Sequence, residues 1–191
     1  VGVAPLRAIA RSTAARASSS TRASPVWPCR QHAMSGVATS TLNHTQSSRS
    51  IYGLTLNGNP IGEIAQWALY HGAMGLPMIY LTGEEDACAE AEALIPGITT
   101  VAVKKGLSRE SAVSVSKEKA RALIRAGAIA ALQAHRDTPV APLVWKGPFV
   151  LEKRYFHTHD VDRYDGVTHA ERIDGQTVRI TGDDIRQIVY A

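Results

Sequence analysis

The chain has 191 residues, a formal net charge of +4 and 45% hydrophobic residues. This length and apolar content suffice for one domain with a sizeable core, which excludes wholesale disorder. No stretch approaches the roughly 18 consecutive apolar residues that a membrane-spanning helix needs, so we expect a soluble protein without a membrane partner. The two cysteines, Cys29 and Cys88, form neither a disulfide framework nor a zinc knuckle, which favours a reducing, cytoplasmic location.

The positive charge is concentrated near the N-terminus. Residues 1–62 carry six arginines and no acidic residue, because the first acidic residue is Glu63. Residues 63–191 hold all 17 acidic residues, are close to neutral and show no basic groove with interleaved aromatic residues. We therefore expect no nucleic-acid partner.

Residues 1–28 are rich in Ala, Ser and Arg and contain few large apolar residues, so we expect a disordered leader. The composition changes abruptly before a regular α/β pattern, which favours foreign sequence from a truncated or frame-shifted reading. An organellar transit peptide has a similar composition and is the weaker alternative. Residues 29–191 form the predicted domain.

Apolar residues at period two predict a strand from Ile51 to a tight turn at Asn57-Gly58. The next predicted elements are a helix beginning near Pro60, a strand over 77–83, a helix over 84–94 and a strand over 98–105. The last three form a β-α-β unit, whose helical crossover implies parallel strands.

The longest predicted helix begins after an N-cap at Ser116 and continues to about His135, with an apolar stripe that should face the core. Beyond a proline-rich linker, strands are predicted over 147–156 and 176–180, followed by a final helix. The whole pattern predicts an α/β domain with three layers, α/β/α, around a mainly parallel sheet.

Two groups of residues combine imidazoles with carboxylates, which are ligand types that zinc prefers. The first group is His32, His44 and Glu63. The second is His157, His159, Asp160, Asp162 and His169. The second group has the spacing of a solvated loop and few apolar residues to shield a metal, so we interpret it as a polar loop.

The first group is sparse, but its context favours a site. Glu63 lies in the first turn of a helix that follows a strand, at the rim where α/β proteins place their sites. A carboxylate in this position also complements the helix dipole without any further role. The local pattern alone leaves both interpretations of Glu63 open.

Several motifs occur in a fixed order between His32 and Ile188. They are H-A-M followed by L-N-H-T, then N-G-N-P-I-G-E, G-L-P-M-I-Y-L-T-G-E, L-I-P-G-I-T-T-V-A-V-K and R-I-D-G-Q-T-V-R. Together they resemble the central and C-terminal part of the zinc-dependent D-aminopeptidase family associated with dipeptide-transport operons.

The resemblance implies roles for the first group. His32 and Glu63 correspond to metal ligands, and His44 corresponds to the catalytic residue, as nucleophile or general base. It also implies two Zn²⁺ ions in a complete site, a small peptide substrate with an N-terminal D-amino acid, and assembly into a homo-oligomeric ring.

The resemblance covers an incomplete fold. The family's Asp-x-Glu pair and a further histidine precede the matched part, whereas residues 1–31 contain no Asp, Glu or His. Arg30-Gln31 stands where the family usually has Gly-Tyr, which suggests a sequence break just upstream of Ala33. We therefore expect a metallo-aminopeptidase domain that lacks the N-terminal portion of the fold and part of the site. The alternative is a non-catalytic fragment that keeps only the oligomerisation surface.

Overall fold

Two β-sheets of different construction organise the computed structural model, which describes residues 32–191. The leader expected over residues 1–28 lies outside the described residues. The predicted α/β class is confirmed, whereas the mainly parallel sheet is not. None of the helices in the described part of the chain is long and apolar enough to cross a membrane.

The larger sheet is antiparallel throughout, in the order β2-β1-β6-β8-β7. Its strands are β1 (Ile51–Leu56), β2 (Asn59–Ile61), β6 (Phe149–Tyr155), β7 (Ala170–Arg172) and β8 (Thr177–Gly182). The expectation of a mainly parallel sheet was wrong because β1 pairs with the distant β6 and not with the strands of the β-α-β unit. Local periodicity carries no signal for such a long-range pairing.

The turn at Asn57-Gly58 is confirmed, with φ of 50° and 78° at its two residues. It returns the chain into β2, where Pro60 lies opposite Thr55 on the edge of the sheet. An edge strand tolerates proline because its outer side needs no N–H donor. Pro60 therefore belongs to a strand and not to the first turn of the following helix, whereas that helix opens at Gly62-Glu63, as the sequence predicts.

The smaller sheet contains β3 (Tyr80–Glu84), β4 (Thr99–Ser108) and β5 (Ser111–Ser114). The predicted β-α-β unit is confirmed, since β3 and β4 are parallel and α2 (Glu85–Leu94) connects them. Strand β5 then pairs antiparallel with β4. The mixed sheet thus combines the crossover with a hairpin that the sequence pattern did not reveal.

Helix α1 (Glu63–Gly72) lies between the two hydrophobic clusters. Ala65 and Leu69 pack in the cluster of the antiparallel sheet, whereas Ile64 and Ala68 pack in the cluster of the mixed sheet. The i, i+4 spacing within each pair gives α1 two buried faces. The first residue of α1, Glu63, is thereby fixed at the junction of the two sheets.

Helix α3 (Lys117–Asp137) begins after the predicted N-cap, whose Ser116 hydroxyl accepts the Lys119 N–H at 3.3 Å. Its predicted apolar stripe faces the core in part: Ala131 is buried and Ala120, Ile124 and Ala128 are half-buried, whereas Leu123 is 36% exposed. Gly127 is buried as well, whereas Ile129 and Leu132, which lie outside the stripe, are 53% and 40% exposed. A short helix α4 (Ile185–Ile188) ends the fold.

Candidate metal centre

A loop before β1 carries two of the three predicted site residues, His32 and His44. The loop is built of turns and bends, and Leu42 adopts a φ of 56°. A left-handed conformation costs a non-glycine residue about 1–2 kcal/mol, so the surroundings must hold it. The carbonyl O of Arg109 accepts the Leu42 N–H at 2.7 Å, and the Arg109 guanidinium donates to the carbonyl O of Asn43.

The third residue, Glu63, begins α1 after Gly62. A Cβ atom at Gly62 would lie 2.6 Å from Cβ of Met34, so the absence of a side chain allows the loop to pack against the start of the helix. Glu63 is thus brought beside His32, from which it is separated by 31 positions in sequence. Tertiary packing, and not sequence proximity, creates the group.

His32, His44 and Glu63 converge, as the sequence analysis expected. One potential ligand atom from each lies within 4.8 Å of the other two. The rings of His32 and His44 have centroids 4.1 Å apart and are tilted by 34°. All three residues are partly buried, which limits competition from bulk water.

Two atoms of this group are buried without a hydrogen-bond partner among the described residues: His32 Nε2 and Glu63 Oε2. They face each other across 3.9 Å, which is too long for a direct hydrogen bond. Two ligands of a tetrahedral zinc ion lie about 3.4 Å apart, close to this separation. Because buried polar atoms normally have partners, these two fit a cation such as Zn²⁺.

The other ring nitrogens are already engaged. His32 Nδ1 lies 3.0 Å from the carbonyl O of Ala33, and His44 Nδ1 lies 2.8 Å from that of Leu42. A carbonyl only accepts, so each Nδ1 carries the proton and donates it. Each Nε2 then presents a lone pair, which is the state required for metal ligation or for accepting a proton.

A cavity of about 800 Å³ adjoins His44. Its wall includes the aromatic pair Tyr52 and Phe156, whose ring centroids are 5.7 Å apart, and the guanidinium of Arg154 lies 4.9 Å from the centroid of Tyr52. Glu152 also lines the cavity and accepts hydrogen bonds from Arg179 at 2.8 and 3.0 Å. The cavity has the size of a small-ligand site.

The second histidine group does not assemble into a comparable cluster within residues 32–191. His157 and His159 stack in parallel with centroids 5.5 Å apart, and both are exposed. Asp162 is paired with Arg172 at 2.7 Å. The surroundings are those of the polar loop that the sequence predicted.

The supporting residues of the first group were missed by sequence analysis. Glu84, Glu90 and Arg109 bind the loop that carries the two histidines. Glu84 ends the buried strand β3 within the T-G-E motif, and a carboxylate fully buried at a strand end needs partners. That position was the available signal, although it does not identify the partners.

Comparison with known proteins gives concordant similarities. A family model described as D-aminopeptidase matches residues 29–191. A D-aminopeptidase of Bacillus subtilis (strain 168) is 37% identical over 78 residues, which are 41% of this chain and 28% of that protein. The solved structure of the Zn-dependent D-aminopeptidase DppA from Bacillus subtilis, described as a self-compartmentalizing protease, is similar with a TM-score of 0.75 and 26% identity. That similarity covers 83% of this chain and 57% of that chain, so the matches span less than two thirds of either relative.

Proposed function

The chain belongs to the D-aminopeptidase family, and on this basis we propose that it forms a zinc-dependent aminopeptidase site for short peptides with an N-terminal D-amino acid. The observation that carries the proposal is the convergence of His32, His44 and Glu63, with two buried atoms that lack partners in the described structure. This arrangement suits a metal site, and the family supplies the reaction class.

In this proposal His32 and Glu63 hold zinc through Nε2 and Oε2. Zinc, when bound, polarises a carbonyl oxygen and makes bound water more acidic. The bond between His32 Nδ1 and the carbonyl of Ala33 fixes the tautomer that directs the Nε2 lone pair at Glu63. The resemblance supports two Zn²⁺ ions in a complete site. Further ligands for these ions would come from residues other than His32, His44 and Glu63.

His44 is assigned to the chemistry. Its Nδ1–H donates to Leu42, which leaves Nε2 free to accept a proton or to attack the scissile carbonyl. The ring of His44 lines the cavity, so a bound peptide would contact it directly. Tyr52 and Phe156 provide an apolar wall for substrate side chains.

We also propose that the chain assembles with copies of itself into a ring. DppA is described as self-compartmentalizing, which supports assembly in this family. Helix α3 exposes Ile129 and Leu132, and all four residues of β5 are exposed. A second copy of the chain is the occupant that would cover this apolar surface.

The test measures release of D-alanine and L-alanine from otherwise identical dipeptides by the zinc-loaded chain after the family's N-terminal segment, with its Asp-x-Glu pair and further histidine, has been fused ahead of His32. We expect faster release of D-alanine. His44→Ala should abolish release and retain zinc, whereas Glu63→Ala should lose both, since the two side chains are assigned to different tasks. His157→Ala is the matched control and should leave the rate unchanged.

A zinc-loaded fusion protein that releases neither amino acid contradicts the peptidase proposal. That result would favour the second candidate, a non-catalytic family member, and the exposed apolar surface of α3 and β5 is the observation that supports it. Loss of zinc in His44→Ala together with full activity of Glu63→Ala would contradict the assignment of roles.

A further inference from the structure

The carboxylate of Glu84 lies at the centre of the loop that carries the two histidines, and its side chain is fully buried. Oε1 accepts the Ala33 N–H at 2.9 Å and the hydroxyl of Ser40, and Oε2 accepts the Thr41 N–H at 2.9 Å. One carboxylate therefore holds both ends of the segment 33–41. Ala33 follows His32 directly, and Thr41 precedes His44 by three positions.

Glu84 is anchored at the end of the buried strand β3. All five residues of β3 are buried, and Glu84 lies beside β4 in parallel register. The loop approaches β4 at Gly106, where a Cβ atom would lie 2.0 Å from the carbonyl O of Thr39 and 2.9 Å from Glu84 Oε2. The carboxylate of Glu84 and the loop thus fill the space that a side chain at position 106 would need.

A second carboxylate, Glu90 of α2, holds the next residue of the loop. Its Oε2 accepts the Met34 N–H at 2.8 Å, and its Oε1 would lie 2.9 Å from a Cβ atom at Gly62. Burial raises the pKa of Glu90, and the hydrogen bond from Met34 opposes that rise. Glu90 therefore lies between Gly62, which precedes Glu63, and Met34, which follows His32 by two positions.

We propose that Glu84 is a positioning residue that fixes His32 and His44 relative to each other, with Glu90 setting the distance from His32 to Glu63. The hydrogen bonds to backbone N–H groups on both sides of the loop carry this proposal. The expected effect on zinc affinity rests on the proposed function. The expected effect on the contact between the two imidazole rings does not.

Glu84→Gln is the decisive substitution because it preserves size and removes one acceptor. The amide can accept from Ala33 but presents N–H donors to Thr41, whose own N–H then loses its partner. Glu92→Gln is the matched control on α2, since Glu92 accepts from the hydroxyl of Thr100 away from the loop.

The first measurement is the nuclear Overhauser contact between the rings of His32 and His44 in the full chain without metal. The wild-type chain and Glu92→Gln should show it, in keeping with the 4.1 Å between ring centroids. Glu84→Gln should lose it while the amide resonances of α3 and the antiparallel sheet stay unchanged. A folded Glu84→Gln chain that keeps the ring contact overturns the proposal.

The second measurement is zinc affinity by calorimetry. Removal of a residue that orients a ligand typically lowers metal affinity about 10–100-fold, and we expect this loss for Glu84→Gln and Glu90→Gln but not for Glu92→Gln. Unchanged affinity in both of the first two variants overturns the proposal. A wild-type chain that binds no zinc contradicts the proposed function alone, because the ring contact still decides the positioning role.

If Glu84→Gln fails to fold, Ser40→Ala replaces it. This variant removes the hydroxyl that donates to Glu84 Oε1 and accepts the Ala33 N–H at 3.1 Å, and it leaves the charge of Glu84 in place. We expect a weakened but detectable ring contact. A contact as strong as that of the wild-type chain in Ser40→Ala overturns the proposal.

Discussion

Lys153 is a lysine on the buried face of the central strand β6, where the alternate residues Phe149, Leu151 and Tyr155 are buried as well. Its Nζ donates to the carbonyl O of Ala191 at 2.5 Å. Burial lowers the pKa of Lys153, although the nearby Tyr164 opposes the change. A charge in this position therefore costs free energy that a hydrogen bond to one carbonyl only partly offsets.

Lys153→Met should raise the melting temperature at pH 7. The pKa of Lys153 is lower in the folded chain than in the unfolded chain, so the folded chain binds fewer protons and its stability rises with pH between the two values. The difference in melting temperature between Lys153→Met and the wild-type chain should therefore be largest at pH 7. It should shrink as the pH approaches about 10.4, the usual pKa of lysine. Thermal melts at several pH values measure it.

Lys105→Met is the control for this substitution. Lys105 is exposed and pairs with Glu85 at 3.0 Å, so its replacement should change the free energy of unfolding by about 0.5 kcal/mol or less. An advantage of Lys153→Met that grows with rising pH would contradict the account of the buried charge.

The sequence predicts His32, His44 and Glu63 as a group, and the structure brings them together, whereas the residues that support them were not predicted. His32, His44 and Glu63 stand in recognisable motifs. Glu84 contacts Ala33 across 51 positions, and Arg109 contacts Asn43 across 66. Such contacts depend on how the loop packs against the mixed sheet, and no periodicity or motif encodes that packing.

Helix α3 has the predicted N-terminus, and its predicted apolar stripe is buried only in part. The N-cap at Ser116 was predicted and is present. The helix meets the sheet at Gly127, where a Cβ atom would lie 2.3 Å from Cγ2 of Val101 and 2.9 Å from the hydroxyl O of Tyr80. The Tyr80 hydroxyl also donates to the carbonyl O of Ile124 at 3.0 Å. The close contact at Gly127, together with Ala128 and Ala131 in the hydrophobic cluster of the mixed sheet, holds α3 on the sheet.

Gly127→Ala should therefore destabilise the chain. Alanine in an exposed helix position favours the helix over glycine by about 1 kcal/mol. At Gly127 the added methyl group collides with β3 and β4, and overpacking of this kind costs about 1–3 kcal/mol. Denaturant unfolding measures the change in the free energy of unfolding.

Ala126→Gly, on the neighbouring exposed position, is the control for helix propensity. It should cost about 1 kcal/mol through propensity alone. An increase in stability for Gly127→Ala would show that α3 does not approach the sheet as closely as described.

Elements with local determinants were predicted correctly. The β-α-β unit follows from the length of its crossover, and the turn at Asn57-Gly58 follows from the conformations those residues tolerate. The pairing of β1 with β6 joins segments almost one hundred residues apart, such as Leu56 and Leu151. That pairing is set by burial of both strands in one core, which a local pattern does not show.

At the scale of the whole molecule, the mixed sheet and α3 present an apolar surface to solvent. Val113 of β5 is 59% exposed and Leu107 of β4 is 54% exposed, besides Ile129 of α3. Exposed apolar residues on these elements are candidates for an interface. The antiparallel sheet, in contrast, buries its strands against α1 and α4.

Ile129→Glu should weaken the proposed self-assembly, because a charge would then be desolvated in the interface. Sedimentation velocity should show oligomers for the wild-type chain and a shift toward the 20.5 kDa monomer for the variant. Gln133→Glu places the same charge on another exposed position of α3 and should sediment like the wild-type chain. A wild-type chain that sediments as a monomer would contradict the assembly proposal.

The central claim is that His32 and Glu63 hold zinc beside His44. Its most direct test is a crystal structure of the zinc-soaked chain with anomalous scattering recorded at the zinc edge. We predict a peak at about 2.0–2.2 Å from both His32 Nε2 and Glu63 Oε2. A peak at His157 and His159 in place of this position, or no peak near Glu63, would contradict the account.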